Sequence, residues 1–115
     1  MKQSILIEKS KSFALKIIVL AQNLQNANQY ILANQILRSG TSIGANVSEA
    51  YYASSKADFA NKLCISQKEA GETKYWLELL YESKLIEKDV YDELMKEIMD
   101  LLRILGKSII TANSN

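Results

Sequence analysis

The stretch Ile36–Ala50, ILRSGTSIGANVSEA, holds two of the four glycines of a 115-residue chain, Gly40 and Gly44. Its reading decides the fold. A phosphate-cradling loop needs glycines followed by Lys and then Ser or Thr, whereas Gly44 is followed by Ala45, Asn46 and Val47. No strand pattern precedes the stretch and GxGxxG is absent, so a dinucleotide loop fails as well. As a helix the stretch makes more sense. Gly40 and Gly44 then lie one above the other on one face, with Ser48 continuing the row. Each interior glycine costs roughly 1 kcal/mol of helix propensity relative to alanine, a loss that close approach of a neighbouring helix offsets. Counting outward from a turn near Ser54 sets Gly40 within about a turn of Ala70 and Gly71 in an antiparallel partner. The expected contact is a close crossing of the second and third helices.

Working outward, apolar periodicity marks four helices, at about 8–25, 30–52, 56–83 and 88–111, in one domain covering 1–115. In the first, Phe13, Ile17, Leu20 and Leu24 form a stripe that Ala14, Ile18 and Ala21 widen, enough to predict a well-buried helix. The second carries Leu32, Ile36, Ile43, Val47 and Ala50 on one side. The third has the most regular seam, Phe59, Leu63, Ser66, Ala70, Thr73, Leu77 and Leu80, whose small middle predicts close approach of a partner. Ser55 is placed to cap it, with Asp58 at the third helical position. The fourth repeats the spacing with Tyr91, Leu94, Ile98, Leu101, Leu105 and Ile109, and TANSN reads as a frayed polar tail. Connections such as NANQ are short, which makes neighbours antiparallel. The predicted fold is all-α, an antiparallel up-down-up-down four-helix bundle.

Composition agrees: 48% of residues are hydrophobic and proline is absent. Net charge is +1; residues 1–62 carry seven Lys and Arg against three acids, and residues 63–115 carry seven against ten, so the first half is net basic and the second net acidic. The single cysteine, Cys64, has no partner for an intrachain disulfide and, with no histidine in the chain, no imidazole to activate it. Missing histidine also removes Glu-x-x-His metal pairs and Ser-His-Asp catalysis. Glu78, Glu82, Glu93 and Glu97 read as outward stripes rather than a metal cage. No cofactor, metal or catalytic residue is expected. Charged residues interrupt the N-terminal apolar run, and no segment has the roughly 20 apolar residues a bilayer span needs. A cytoplasmic protein is expected, with no membrane partner.

Three residue sets are candidates for function. The polar row Gln35, Arg38, Ser42, Asn46 and Glu49 on the second helix lies opposite Glu69 and Glu72, which predicts a register-fixing ion and hydrogen-bond network. Lys9, Lys11 and Lys16, with Arg38, are the alternative set for RNA phosphates. Tyr51, Tyr52, Tyr75, Trp76 and Leu79 fall off the intrachain seams and form a candidate interface with another copy.

RSGTSIGANVSEA, followed by SKADFANKLCISQKEAGETKYWLELLYES, closely resembles the bacterial four helix bundle protein family, also called 23S rRNA intervening-sequence proteins. The likeness extends from EKSKSFALKII to the final helix. What the resemblance implies is a ring-like homopentamer of four-helix bundles without established enzymatic activity. A related branch, the accessory proteins of diversity-generating retroelements, acts as a basic RNA- and reverse-transcriptase-binding partner. The near-zero net charge departs from that branch. Two functional expectations follow: a self-assembling adaptor associated with RNA or ribonucleoprotein, and a purely structural or protein-interaction module.

Overall fold

A computed structural model describes residues 2–114, with side chains described from Ile5 to Ser114. Four helices follow one another: α1 (Lys2–Asn26), α2 (Tyr30–Ala50), α3 (Lys56–Glu82) and α4 (Lys88–Ala112). They pack α1 on α2, α2 on α3, α3 on α4 and, more sparsely, α4 on α1, while among the described residues no Cα atoms of the diagonal pairs come within 8 Å of each other. This is the up-down-up-down bundle, 48 Å long and about 20 Å across.

The turns explain the topology locally. Asn28 and Lys84 take left-handed backbone, φ 63° and 65°. Each lets the next amide reach back five residues, Gln29 N to the Leu24 carbonyl at 2.8 Å and Leu85 N to the Leu80 carbonyl at 2.9 Å. That closure ends a helix and reverses the chain within a few residues. At the start of α3, Ser55 Oγ accepts from the Asp58 amide at 3.0 Å, as the capping pattern predicts. The tail stays helical through Ala112, and Asn115 lies outside the described residues.

The core is close to the predicted seams. Every residue of the α3 seam is buried except Phe59, which is half-buried, and Leu94, Ile98, Leu101 and Leu105 are buried on α4. Two expectations for α1 need correction. It begins at Lys2 rather than near residue 8, because buried Leu6 and Ser10 extend the Phe13–Ile17 stripe toward the N-terminus. Nor is it buried all round. Leu15 is 58% exposed and Val19 56%, with Ile7 and Ile18 also exposed. A helix with two lateral neighbours covers only its inner face.

The glycine crossing also lies elsewhere than expected. A Cβ on Gly40 would stand 2.8 Å from Cγ2 of Ile17, and one on Gly44 would stand 3.3 Å from Oγ of Ser10. Both glycines therefore face α1. Gly71 is exposed, with nothing within 4 Å of an added Cβ, and Ala70 is buried in the core. Close approach of α2 and α3 is real but is made by other residues. Ser66 Oγ donates to the Ile43 carbonyl at 2.8 Å, and the hydroxyls of Thr73 and Ser39 share a hydrogen bond at 2.8 Å, all four residues being buried.

Ser66 satisfies a helix carbonyl from a neighbouring helix, so its hydroxyl gives both contact and register. Ser66→Ala should lower stability by about 1 kcal/mol, the net worth of one buried hydrogen bond. Urea unfolding at fixed protein concentration tests this; an unchanged midpoint with unchanged slope would remove the bond from the account.

Candidate functional site

The polar row of α2 divides into three parts. Arg38 reaches α3 through Glu69 Oε1 at 3.2 Å and through Glu72, and also takes the Gln35 amide oxygen at 3.2 Å. Glu72 accepts from Trp76 Nε1 at 3.0 Å, so the indole closes the cluster. Ser42 and Asn46 instead donate back to the carbonyls of Arg38 and Ser42 in their own helix, at 2.6 and 2.9 Å. Glu49 pairs with Lys62 of α3 at 3.2 Å. Arg38 is half-exposed, so the cluster fixes register more than it adds stability. On α4, Lys88 pairs with Asp92 one turn on, at 2.6 Å.

Most of the candidate phosphate contacts are already engaged. Lys16 Nζ lies 2.7 Å from Glu93 and 2.5 Å from Glu97, and Lys9 lies 2.9 Å from Asp100, which also holds Arg103. Glu93 and Glu97 are thus partners of α1 rather than free outward stripes. Lys11 has no ion pair among the described residues. These bridges span the sparse α1–α4 seam and set its pH range. Hydrogen bonds from Lys9 and then Arg103 hold the Asp100 carboxyl below its ordinary value. Hydrogen bonds from Lys16 to Glu93 and Glu97 raise the Lys16 ammonium above its own.

The signs follow from linkage. Asp100's contribution is complete above its unfolded pKa of about 3.9 and disappears as pH falls through the lower folded value. Lys16's contribution is complete below about 10.4 and disappears only as pH rises through its higher folded value. Acid should therefore loosen α1 from α4. In hydrogen exchange, amides of α1 near Lys9 should lose protection as pH falls below about 3.9 toward the lower folded value of Asp100. Asp100→Asn, already uncharged, should show a smaller loss; an equal loss would detach the effect from Asp100.

The aromatic set is split between core and solvent. Tyr51 is half-buried and meets Phe59 edge-on at 5.3 Å, and burial raises its phenol pKa. Trp76 is half-buried against Tyr75 at 5.2 Å, and Leu79 is half-buried. Tyr75 is exposed on α3, and Tyr52, 88% exposed, stands at the end of α2. The sequence set omitted an apolar surface on α1, where exposed Ile7, Leu15 and Ile18, with half-buried Ala14, fall on one stripe outside the buried face.

The family model for 23S rRNA-intervening sequence proteins matches residues 2–107. This chain belongs to that family. A crystal structure of an S23 ribosomal protein family member from Bacteroides thetaiotaomicron, described as of unknown function, superposes with a TM-score of 0.93. It is 42% identical over 96% of this chain and 99% of that one. No protein of curated annotation matches.

In this member of the 23S rRNA-intervening sequence protein family, the antiparallel fold rearranges the charge. Lys9, Lys11, Lys56, Arg103 and Lys107 gather toward one pole, where α1 and α3 begin and α2 and α4 end. Acids from Glu69 to Glu97 dominate the other. Arg103 and Lys107 were missing from the sequence-derived set because a count by chain halves placed them among the acids. Among the described residues, no helix is long and apolar enough to cross a membrane, and no cluster of three His, Cys, Asp or Glu residues is placed to hold a metal.

Proposed function

We propose that this chain is a non-catalytic cytoplasmic bundle protein that self-assembles and serves as an adaptor for RNA or ribonucleoprotein. The observation that carries the proposal is the exposed apolar stripe of α1, since such a contiguous patch on a small domain is characteristic of an interface. A homopentameric ring is the form that the family resemblance implies. The basic pole supports the RNA part, because lysine and arginine gathered at one end attract phosphate even when net charge is near zero. Light scattering at micromolar concentration tests assembly, and a mass of one chain would end that half of the proposal. Gel shift against structured rRNA fragments at rising salt tests the other half, with salt-sensitive binding expected.

A second reading, a protein-interaction module with no nucleic-acid partner, gains support from the cations already engaged. Lys9, Lys16 and Arg38 each meet a carboxylate within the chain. On that reading, reversing Lys9, Lys11 and Lys16 to glutamate leaves the set of cellular partners unchanged.

A further inference from the structure

At the basic pole, the start of α1, the end of α4 and the α2–α3 turn enclose a groove of about 600 Å³. Its apolar surface comes from Ile5, Tyr51, Phe59 and Ile104, and its polar edge includes Lys9, Asp100, Arg103 and Lys107. Asp100 serves two cations at once, Lys9 at 2.9 Å and Arg103. Lys107, one turn beyond Arg103 on α4, has no ion pair among the described residues. Three cations thus face one carboxylate around an aromatic wall. Ser108 and Thr111 add hydroxyls to the same edge.

Those features match single-stranded nucleic acid, which offers a flat base for aromatic and apolar surface and a phosphate for cations. We infer that the groove takes a nucleotide of single-stranded RNA, its base against Tyr51, Phe59 and Ile104 and its phosphate at Arg103 and Lys107. The inference rests on the RNA half of the function proposed above and gives it a location. A second groove, of about 440 Å³, lies at the opposite end of the α1–α4 seam, walled by Leu85, Ile86 and Val90. Its charged edge mixes Lys16 with Glu87 and Glu93, so it lacks the surplus of cations that phosphate requires. An acidic peptide would also be drawn to Lys107, but the aromatic wall is left without a role if charge alone is recognised. Assembly through α1 leaves the groove open. Ile5 and Lys9 lie on the α4 side of that helix, and Ile7, Leu15 and Ile18 lie on another face.

Fluorescein-labelled U12 RNA, titrated into the full chain and followed by anisotropy, tests the site. Lys107→Ala should reduce the slope of log affinity against log salt by roughly 0.7, one single-strand phosphate contact. Thr111→Trp, which fills the groove without changing charge, should weaken binding by roughly tenfold, as expected for a lost stacking contact. U12 should shift the methyl resonances of Ile5 and Ile104 and leave those of Leu85 and Ile86 in place. If U12 binds while both variants and all four residues are indifferent, the groove assignment is overturned and the RNA reading survives. If U12 and the structured rRNA fragments both fail to bind, the two fall together. If a labelled oligoglutamate peptide binds in the groove and U12 does not, the site belongs to acidic protein.

Discussion

Gly40→Val should destabilise the bundle by about 2–3 kcal/mol, the middle to upper part of the range for overpacking a well-filled core. The argument turns on what the new side chain meets. The first added carbon already stands 2.8 Å from Cγ2 and 3.0 Å from Cγ1 of Ile17, and 3.2 Å from its Cβ. Ile17 is fully buried and β-branched, so one χ1 well dominates in its helix and it has no free end to swing aside. Relief therefore requires α1 and α2 to move apart, opening contacts along the Phe13–Ile43 layer. Helix propensity gained on losing glycine returns only about 0.5 kcal/mol for valine. Gly71→Ala is the internal control. It gains up to about 1 kcal/mol of propensity and meets nothing within 4 Å, so its midpoint should rise. Thermal unfolding at one fixed protein concentration distinguishes them, because assembly makes the midpoint concentration-dependent. Equal and positive shifts for both variants would mean that the α1–α2 crossing is looser than the structure has it.

That pair of glycines also shows how far the sequence was legible. The axial level of Gly40 follows from counting residues back from a turn, but its rotation about the helix does not. Arg38 and Gly40 are two residues apart, hence about 200° apart around α2. Both were assigned to the α3 side, which geometry forbids. The Arg38 pairing with Glu69 and Glu72 holds, so the glycines necessarily turn toward α1. The α3 seam, by contrast, was legible from Leu63 to Leu80, since its four-three spacing encodes level and rotation together; only in the first turn is Ala60 buried in place of Phe59. The groove was not legible. Tyr51 and Phe59 flank one turn, but Ile5 and Lys107 lie near opposite ends of the chain, and only the closed bundle brings all four to one opening.

Leu15→Glu should leave the protomer folded and convert the assembly to single chains of 13.0 kDa. Leu15 is more than half exposed in the protomer, so glutamate there keeps its hydration and costs the fold little. Between two copies the same carboxylate would lose its water without a built partner, at a penalty of several kcal/mol. A change of that size shifts each interface equilibrium by two or more powers of ten. A ring further requires each protomer to present two different surfaces, one to each neighbour. On the proposed assembly, the α1 stripe would be one, and Tyr75 and Leu79 on α3, the helix diagonal to α1, would be the second, so that the two face opposite ways. Tyr75→Glu should therefore also give single chains. Mixing the two variants should restore one interface between an intact α1 face and an intact α3 face, and so produce a species of two chains and no larger. Light scattering reads all three masses, and circular dichroism checks that the helices persist. A Leu15→Glu protein that keeps the wild-type mass would place the interface elsewhere. Single chains from both variants that stay single on mixing would show that α1 and α3 do not pair with each other.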